Sequence, residues 1–148
     1  MNKIFIYYSL SGNGDAVASA LREKGYEIRR VEPLKTPPKK FFFRILRGGF
    51  NAGRQYCEPL KDYDADVSAY DEIVIGSPVW NGHLSCPINT VIKETELGNR
   101  KVTFLLYSGS GEAAKAETQI RKAVPGAAVI HLREPKKYPE TLRRLSEL

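Results

Sequence analysis

The chain is poor in the residues that build cross-links and metal sites. Its 148 residues include only two cysteines, Cys57 and Cys86, and two histidines, His83 and His131. Neither cysteine has CxxC or Cys/His ligand spacing. This argues against structural zinc and a disulfide framework and for two reduced thiols in a cytoplasmic protein. Long apolar runs are also missing, since no stretch approaches the ~20 residues of a transmembrane helix. Met1-Asn2-Lys3 is expected to lead straight into a strand, without a targeting segment. Several phosphate chemistries lack their residues as well. There is no GxxxxGK[ST] loop. Gly76-Ser77 stand where a receiver domain would carry its aspartate, and the first glycine-rich loop holds no cysteine for a phosphatase. A dinucleotide GxGxxG is incomplete, because Val17 follows Gly12-x-Gly14 where the third glycine belongs. Glu32, near the end of the second strand run, keeps a Rossmann-type reading open.

What the chain does have is a recurring pattern: a β-branched run, a small-residue loop, then a helix. Ile4–Tyr8 leads into Ser9-Leu10-Ser11-Gly12-Asn13-Gly14, Glu72–Gly76 into Ser77-Pro78-Val79-Trp80-Asn81-Gly82, and Val102–Tyr107 into Ser108-Gly109-Ser110-Gly111. In an open parallel sheet such loops gather at the carboxyl ends of the strands, where ligands bind. One loop offers hydroxyls and glycines before a helix, and another carries the lone tryptophan. That pair suits a ligand with a phosphate at one end and a flat ring at the other.

The periodicity predicts strands over Lys3–Ser9, Tyr26–Val31, Glu72–Gly76, Lys101–Tyr107 and Ala127–Leu132. Helices are predicted from Gly14 to Lys24, from Pro38 into Gly48-Gly49, from Pro87 to Glu96, from Glu112 to Val124 and from Pro139 to Leu148. Phe42, Ile45, Leu46, Gly49 and Phe50 share one face of the second, with Phe41 and Phe43 beside it. Residues 51–70 show no strong period and read as a loop with frayed helical turns. Alternating strands and helices imply a single α/β domain over residues 1–148: a doubly wound, five-stranded parallel sheet of order 2-1-3-4-5 with helices on both faces.

The net charge of +6 is localised. Seven bases (Lys35, Lys39, Lys40, Arg44, Arg47, Arg54 and Lys61) face one acid, Glu58, between Lys35 and Lys61, and the rest of the chain is neutral. Such a segment steers an anionic partner. No RNA-binding or helix-turn-helix signature accompanies it, which argues against nucleic acid.

The first loop precedes a helix amino terminus, whose unpaired N–H groups and dipole favour an anion. A phosphate there would be held by Ser9, Ser11, Asn13 and backbone close to Gly12 and Gly14, without a nearby lysine. The same residues also suit a tight turn and N-cap. Trp80 offers a flat face for a ring, or a core anchor. His83 is either a proton donor beside the ligand or a solvated loop residue, His131 reads as structural, and Cys86, close to the second loop in sequence, reads as a plain buried thiol or alternatively a redox sensor. Tyr56 and Tyr107 are not placed by the sequence.

Together the three loops resemble those of short-chain flavodoxins. Ser9-Leu10-Ser11-Gly12-Asn13-Gly14 is similar to the family's S/T-x-S/T-G-x-T phosphate loop, with Gly14 in place of threonine. Gly76-Ser77-Pro78-Val79-Trp80-Asn81-Gly82, followed by Pro87, is similar to its G-[ST]-P-[VT]-[WY]-x-G loop and helix start. Ser108-Gly109-Ser110-Gly111 resembles the loop on the flavin's other side. The resemblance implies a non-covalent FMN held by these three loops and used in electron transfer or flavin-dependent oxidoreduction. It implies stacking on Trp80, backbone contacts from Ser77, Pro78, Val79, Asn81 and Gly82 and from Ser108, Gly109, Ser110 and Gly111, and a reorienting peptide at Gly82. Electron-carrying flavodoxins are usually acidic. The basic Lys35–Lys61 segment therefore points to an acidic redox partner, or alternatively to an assembly protein that does not hold FMN tightly.

Overall fold

The computed structural model describes residues 1–35 and 54–148. The helix expected from Pro38, with its apolar face and Phe41 and Phe43, lies outside these residues, as does most of the basic segment.

Strand β1 (Lys3–Tyr7) leads into α1 (Asn13–Glu23), then β2 (Glu27–Arg30). After the 54–71 segment come β3 (Glu72–Trp80), β4 (His83–Leu84), α2 (Cys86–Glu94), β5 (Lys101–Ser108), α3 (Ala114–Ala123) and β6 (Ala128–Arg133). The sheet order is β2-β1-β3-β5-β6, all parallel, with β4 pairing antiparallel to β3 off that path. Apart from β4, this is the expected doubly wound order.

The central strands read as continuous apolar runs because both of their faces are covered. Alternate residues sort accordingly. Ile4, Ile6 and Tyr8 of the β1 run join Ile73, Ile75, Phe104 and Leu106 in one cluster, capped by Ile88 and Val91 of α2 and Ala116 and Ile120 of α3. Phe5 and Tyr7 join Val74, Leu105 and Tyr107 in the other, capped by Val17, Ala18 and Leu21 of α1 and by Leu145. Parallel register aligns Ile4 with Ile73 and Ile75 with Phe104, bringing the loops after β1, β3 and β5 to one edge.

Helix α1 stops as expected at Gly25, whose φ of +85° places it in the left-handed region. Gly25 and Tyr26 N–H donate back to the Arg22 and Leu21 carbonyls at 3.0 and 3.1 Å, closing a Schellman motif.

Four elements differ from expectation. Strand β3 runs to Trp80 instead of stopping at Gly76, so Ser77–Trp80 are extended strand rather than loop. The cause is a hairpin: Asn81 (φ +49°) and Gly82 (φ +78°) form a two-residue turn that returns as β4, pairing Trp80 with His83 and Val79 with Leu84. Helices α2 and α3 are shorter than expected. Thr95 is already extended after α2, and Glu112 belongs to the loop before α3 rather than to its first turn. The terminal helix, Pro139–Glu147, is 3₁₀ rather than α. Residues 54–71 form the expected loop, with a turn closed by the Tyr70 N–H to the Val67 carbonyl at 3.0 Å. This stretch is pinned by the Pro33–Leu60 bridge, by Leu34 and Lys61 N–H bonds of 2.8 Å, and by Arg29, which donates to the Asp64 and Asp66 carbonyls.

Candidate functional site

The first loop is organised from inside by Ser9, which is buried. Its Oγ accepts the Gly12 and Gly14 N–H groups, both at 3.1 Å, so the hydroxyl ties the turn to the helix start. The N-cap is Gly12, at φ +95°, with no side-chain cap. Among the described residues, the backbone N–H groups of Ser11, Asn13 and Asp15 then have no protein acceptor. Three unspent donors at the positive end of an 11-residue helix can receive an anion. Ser11 is exposed, and Asn13 Nδ2 reaches its Oγ at 3.5 Å.

Gly14 has a steric reason. A Cβ there would lie 2.6 Å from Tyr107 Oη, 2.6 Å from Tyr7 Cδ2 and 2.9 Å from Ser9 Cβ. The space that a threonine would fill is taken by two tyrosines from β1 and β5. Tyr107 donates its hydroxyl to the Tyr8 carbonyl, and complete burial pushes its pKa well above the ordinary value. Tyr7 donates to Asp15 at 2.7 Å, and its pKa is raised by burial and by that bond.

Asp15 would repel an anion if left alone. It is paired with Arg30, whose guanidinium also binds Glu32, donates to the Ser9 carbonyl at 2.9 Å and lies over the Tyr7 ring. Burial pushes the Asp15 carboxyl up, but bonds from Arg30 and Tyr7 outweigh it and hold the pKa below its ordinary value. Glu32, the residue that kept a dinucleotide reading open, is thus engaged by Arg30.

The expectation of a phosphate loop without a lysine is corrected here. Lys136, after β6, donates its backbone N–H to Asn13 Oδ1 at 3.1 Å, and its Nζ reaches the Ser11 carbonyl at 3.4 Å.

In the second loop, Ser77 is buried and its hydroxyl is spent internally. It donates to the Pro78 carbonyl, meets Ser85 Oγ at 2.8 Å and accepts the Ser85 N–H. Pro78, Val79 and Trp80 are half-buried, and Asn81 is exposed at the hairpin tip. The Trp80 ring meets Tyr8 edge-on, with centroids 5.6 Å apart, which sets the indole beside the first loop. Gly82 does not hang free, because its carbonyl accepts the Ala116 N–H at 2.9 Å and Lys115 packs against it. Reorienting the Gly82–His83 peptide therefore breaks that bond. His83 is not simply solvated: its Nδ1 is buried, without a hydrogen-bond partner among the described residues.

The third loop closes on itself. Ser108 Oγ accepts the Gly111 N–H at 2.9 Å and Ser110 Oγ accepts the Glu112 N–H at 3.2 Å, leaving Gly109 and Ser110 exposed at the edge. Arg133 donates to the Gly109 carbonyl at 3.2 Å.

Cys86 is fully buried in α2, and His131 faces Glu117 at 3.3 Å on β6. Tyr56 is exposed on the 54–60 stretch. Sequence reasoning did not find Tyr7, Arg30 or Lys136, and it left Tyr107 unplaced. Only the parallel alternation of β1 and β5 hinted that the two tyrosines share a face. Among the described residues no cluster of His, Cys, Asp and Glu is arranged to hold a metal ion, and no helix is long and apolar enough to cross a membrane.

A doubly wound parallel sheet with the loops after β1, β3 and β5 at one edge places the chain in the α/β class. The flavodoxin family model matches residues 2–138, and the chain belongs to that family. Among solved structures, a flavoprotein from Lactobacillus acidophilus in complex with FMN is 21% identical with a TM-score of 0.73, covering 94% of this chain and 97% of that one. A provisionally assigned flavoprotein from Bacteroides uniformis is 20% identical with a TM-score of 0.77, covering 99% and 98%. The flavodoxin of Megasphaera elsdenii is 16% identical with a TM-score of 0.55, covering 95% and 93%. At these identities the likeness concerns the fold. No curated protein shows significant sequence similarity to the chain.

Proposed function

We propose that this chain is a cytoplasmic FMN-binding protein that works in electron transfer or flavin-dependent oxidoreduction, with an acidic redox partner met by the Lys35–Lys61 segment. The observation that carries the reading is the set of N–H donors at Ser11, Asn13 and Asp15, open beside the Ser11 hydroxyl at the start of α1. FMN supplies the electron chemistry when bound, and the protein supplies binding, orientation and electrostatics.

In this reading Ser11, Gly12, Asn13 and the helix start hold the phosphate. Ser9 and Gly14 act from behind by fixing the turn. Trp80 gives the ring an apolar face, steadied by its edge contact with Tyr8. Backbone of Pro78, Val79, Asn81, Gly82 and the Ser108–Gly111 loop borders the ring edge. Ser77 contributes through the backbone, since its hydroxyl ties β3 to the start of α2. Arg30 keeps the negative charge of Asp15 from opposing the phosphate. Gly14 in place of threonine would favour the FMN-free assembly reading if it were a defect in the phosphate loop. The packing of Tyr7 and Tyr107 gives that glycine a structural role instead.

The absorbance spectrum of the purified protein, followed by titration with FMN, riboflavin and FAD monitored by fluorescence quenching, tests the proposal. FMN should bind most tightly. Equal affinity for riboflavin sinks the phosphate loop, and absence of binding by all three sinks the flavin reading.

A further inference from the structure

Lys136 lies 123 residues from Asn13 in sequence and against it in space. Its backbone N–H is held by Asn13 Oδ1 at 3.1 Å, while the same amide's Nδ2 faces Ser11 Oγ at 3.5 Å, so one side chain bridges the two. The lysine stem crosses the turn over Gly12. A Cβ at that glycine would lie 3.1 Å from Lys136 Cδ and 3.2 Å from Nζ, and its φ of +95° already disfavours any other residue. The ammonium ends 3.4 Å from the Ser11 carbonyl, beside the open N–H groups of the same turn. Among the described residues no carboxylate lies within ion-pairing distance of it. The acid next in line, Asp15, is engaged by Arg30 and Tyr7. Its neighbour Lys137 instead packs over the Tyr138 ring at 5.3 Å.

We propose, resting on the FMN reading above, that Lys136 is a phosphate-binding residue that supplies a full positive charge at the first loop and sets the preference for phosphorylated over unphosphorylated flavin. A neutral loop offers hydrogen bonds alone; a poised ammonium adds charge-assisted ones to the phosphate oxygens. The Gly12 turn and the Asn13 amide position the lysine.

The test titrates wild type, Lys136→Gln, Lys136→Arg and Lys137→Gln with FMN and with riboflavin, read by flavin fluorescence quenching at low and high salt. Lys136→Gln should weaken FMN binding roughly 10- to 100-fold, the size of a lost charged hydrogen bond. It should leave riboflavin binding unchanged and flatten the salt dependence of FMN binding. Lys136→Arg should retain most of the preference, and Lys137→Gln should match wild type. A wild type that prefers FMN together with a Lys136→Gln variant that prefers it equally overturns the lysine's role alone. Equal loss of both flavins also overturns it. A wild type that binds neither flavin overturns the FMN reading and this inference with it.

Discussion

Replacing Gly14 with alanine sets two effects of opposite sign against each other. Gly14 is the second residue of α1, and alanine is favoured over glycine in a helix by up to about 1 kcal/mol. Against this, the added Cβ would lie 2.6 Å from both Tyr107 Oη and Tyr7 Cδ2, distances that real contacts do not reach. Neither atom is the free end of a flexible side chain, since Tyr107 is bonded to the Tyr8 carbonyl and Tyr7 to Asp15. Overpacking of this kind costs about 1–3 kcal/mol. Shifting the helix start also weakens the Gly14 N–H bond to Ser9, worth about 1 kcal/mol. The expected net is a destabilisation of about 1–3 kcal/mol in urea unfolding, with unchanged m-value. Gly109→Ala is the control, because among the described residues nothing lies within 4 Å of its Cβ position and its φ is not left-handed, so it should be near neutral. Adding Tyr107→Phe to Gly14→Ala removes one of the two close contacts and should show favourable coupling in a double-mutant cycle. A Gly14→Ala variant as stable as wild type, or more so, would refute the steric account.

Trp80→Ala should weaken FMN binding at least about fivefold, the loss of an aromatic stack worth on the order of 1 kcal/mol, and shift the midpoint potential while far-UV circular dichroism stays native. Wild-type affinity in that variant would place the ring elsewhere. Asp15→Asn should cost no more than about 1 kcal/mol at neutral pH, since the pair with Arg30 is half exposed. Because the Asp15 pKa is lowered in the folded state, its contribution is present above the ordinary value of 3.8 and lost as pH falls through the folded one. The two unfolding curves should therefore converge in acid, and a gap that persists there contradicts the assignment. Changing Lys39, Lys40, Arg44 and Arg47 to glutamate should slow electron exchange with an acidic redox protein and flatten its salt dependence, since electrostatic steering acts over a Debye length of about 8 Å. Stopped-flow rates identical to wild type across a salt series would reduce the segment to a solubility role.

Strand identity and order were legible because burial on two faces leaves a plain signal. Ile4-Phe5-Ile6-Tyr7 and Thr103-Phe104-Leu105-Leu106 are apolar at nearly every position, and only a covered parallel sheet accommodates that. The hairpin after β3 was misread for a different reason. Ser77-Pro78 looks like a strand terminator, and Pro78 indeed sits where β3 still pairs with β5 but only at the last aligned position. Yet Asn81-Gly82 is the dipeptide that most favours a two-residue hairpin turn, and it stood in the sequence. Reading it as loop composition rather than as a turn with two left-handed residues cost Val79 and Trp80 their strand. The 3₁₀ form of Pro139–Glu147 left no comparable mark, because apolar spacing of three or four residues serves both helix types.

The first loop shows where single-sequence reading stops. Its glycines and hydroxyls are local and were visible, whereas its charge balance is assembled from three distant places. Arg30 comes from the end of β2, Asp15 from the first turn of α1, and Lys136 from beyond β6. None of these residues stands in a motif, and each alone is an ordinary surface charge. The topology makes them a unit: β2 flanks β1, so Arg30 reaches both the Ser9 carbonyl and Asp15, while the chain leaving β6 reaches Asn13. Arg30 is shared between Asp15 and Glu32, and Lys136 is a second cation brought to the turn, with no carboxylate in ion-pairing distance among the described residues. A loop whose own residues carry no cation therefore gains one in the fold, at the point where the open N–H groups of α1 already favour an anion.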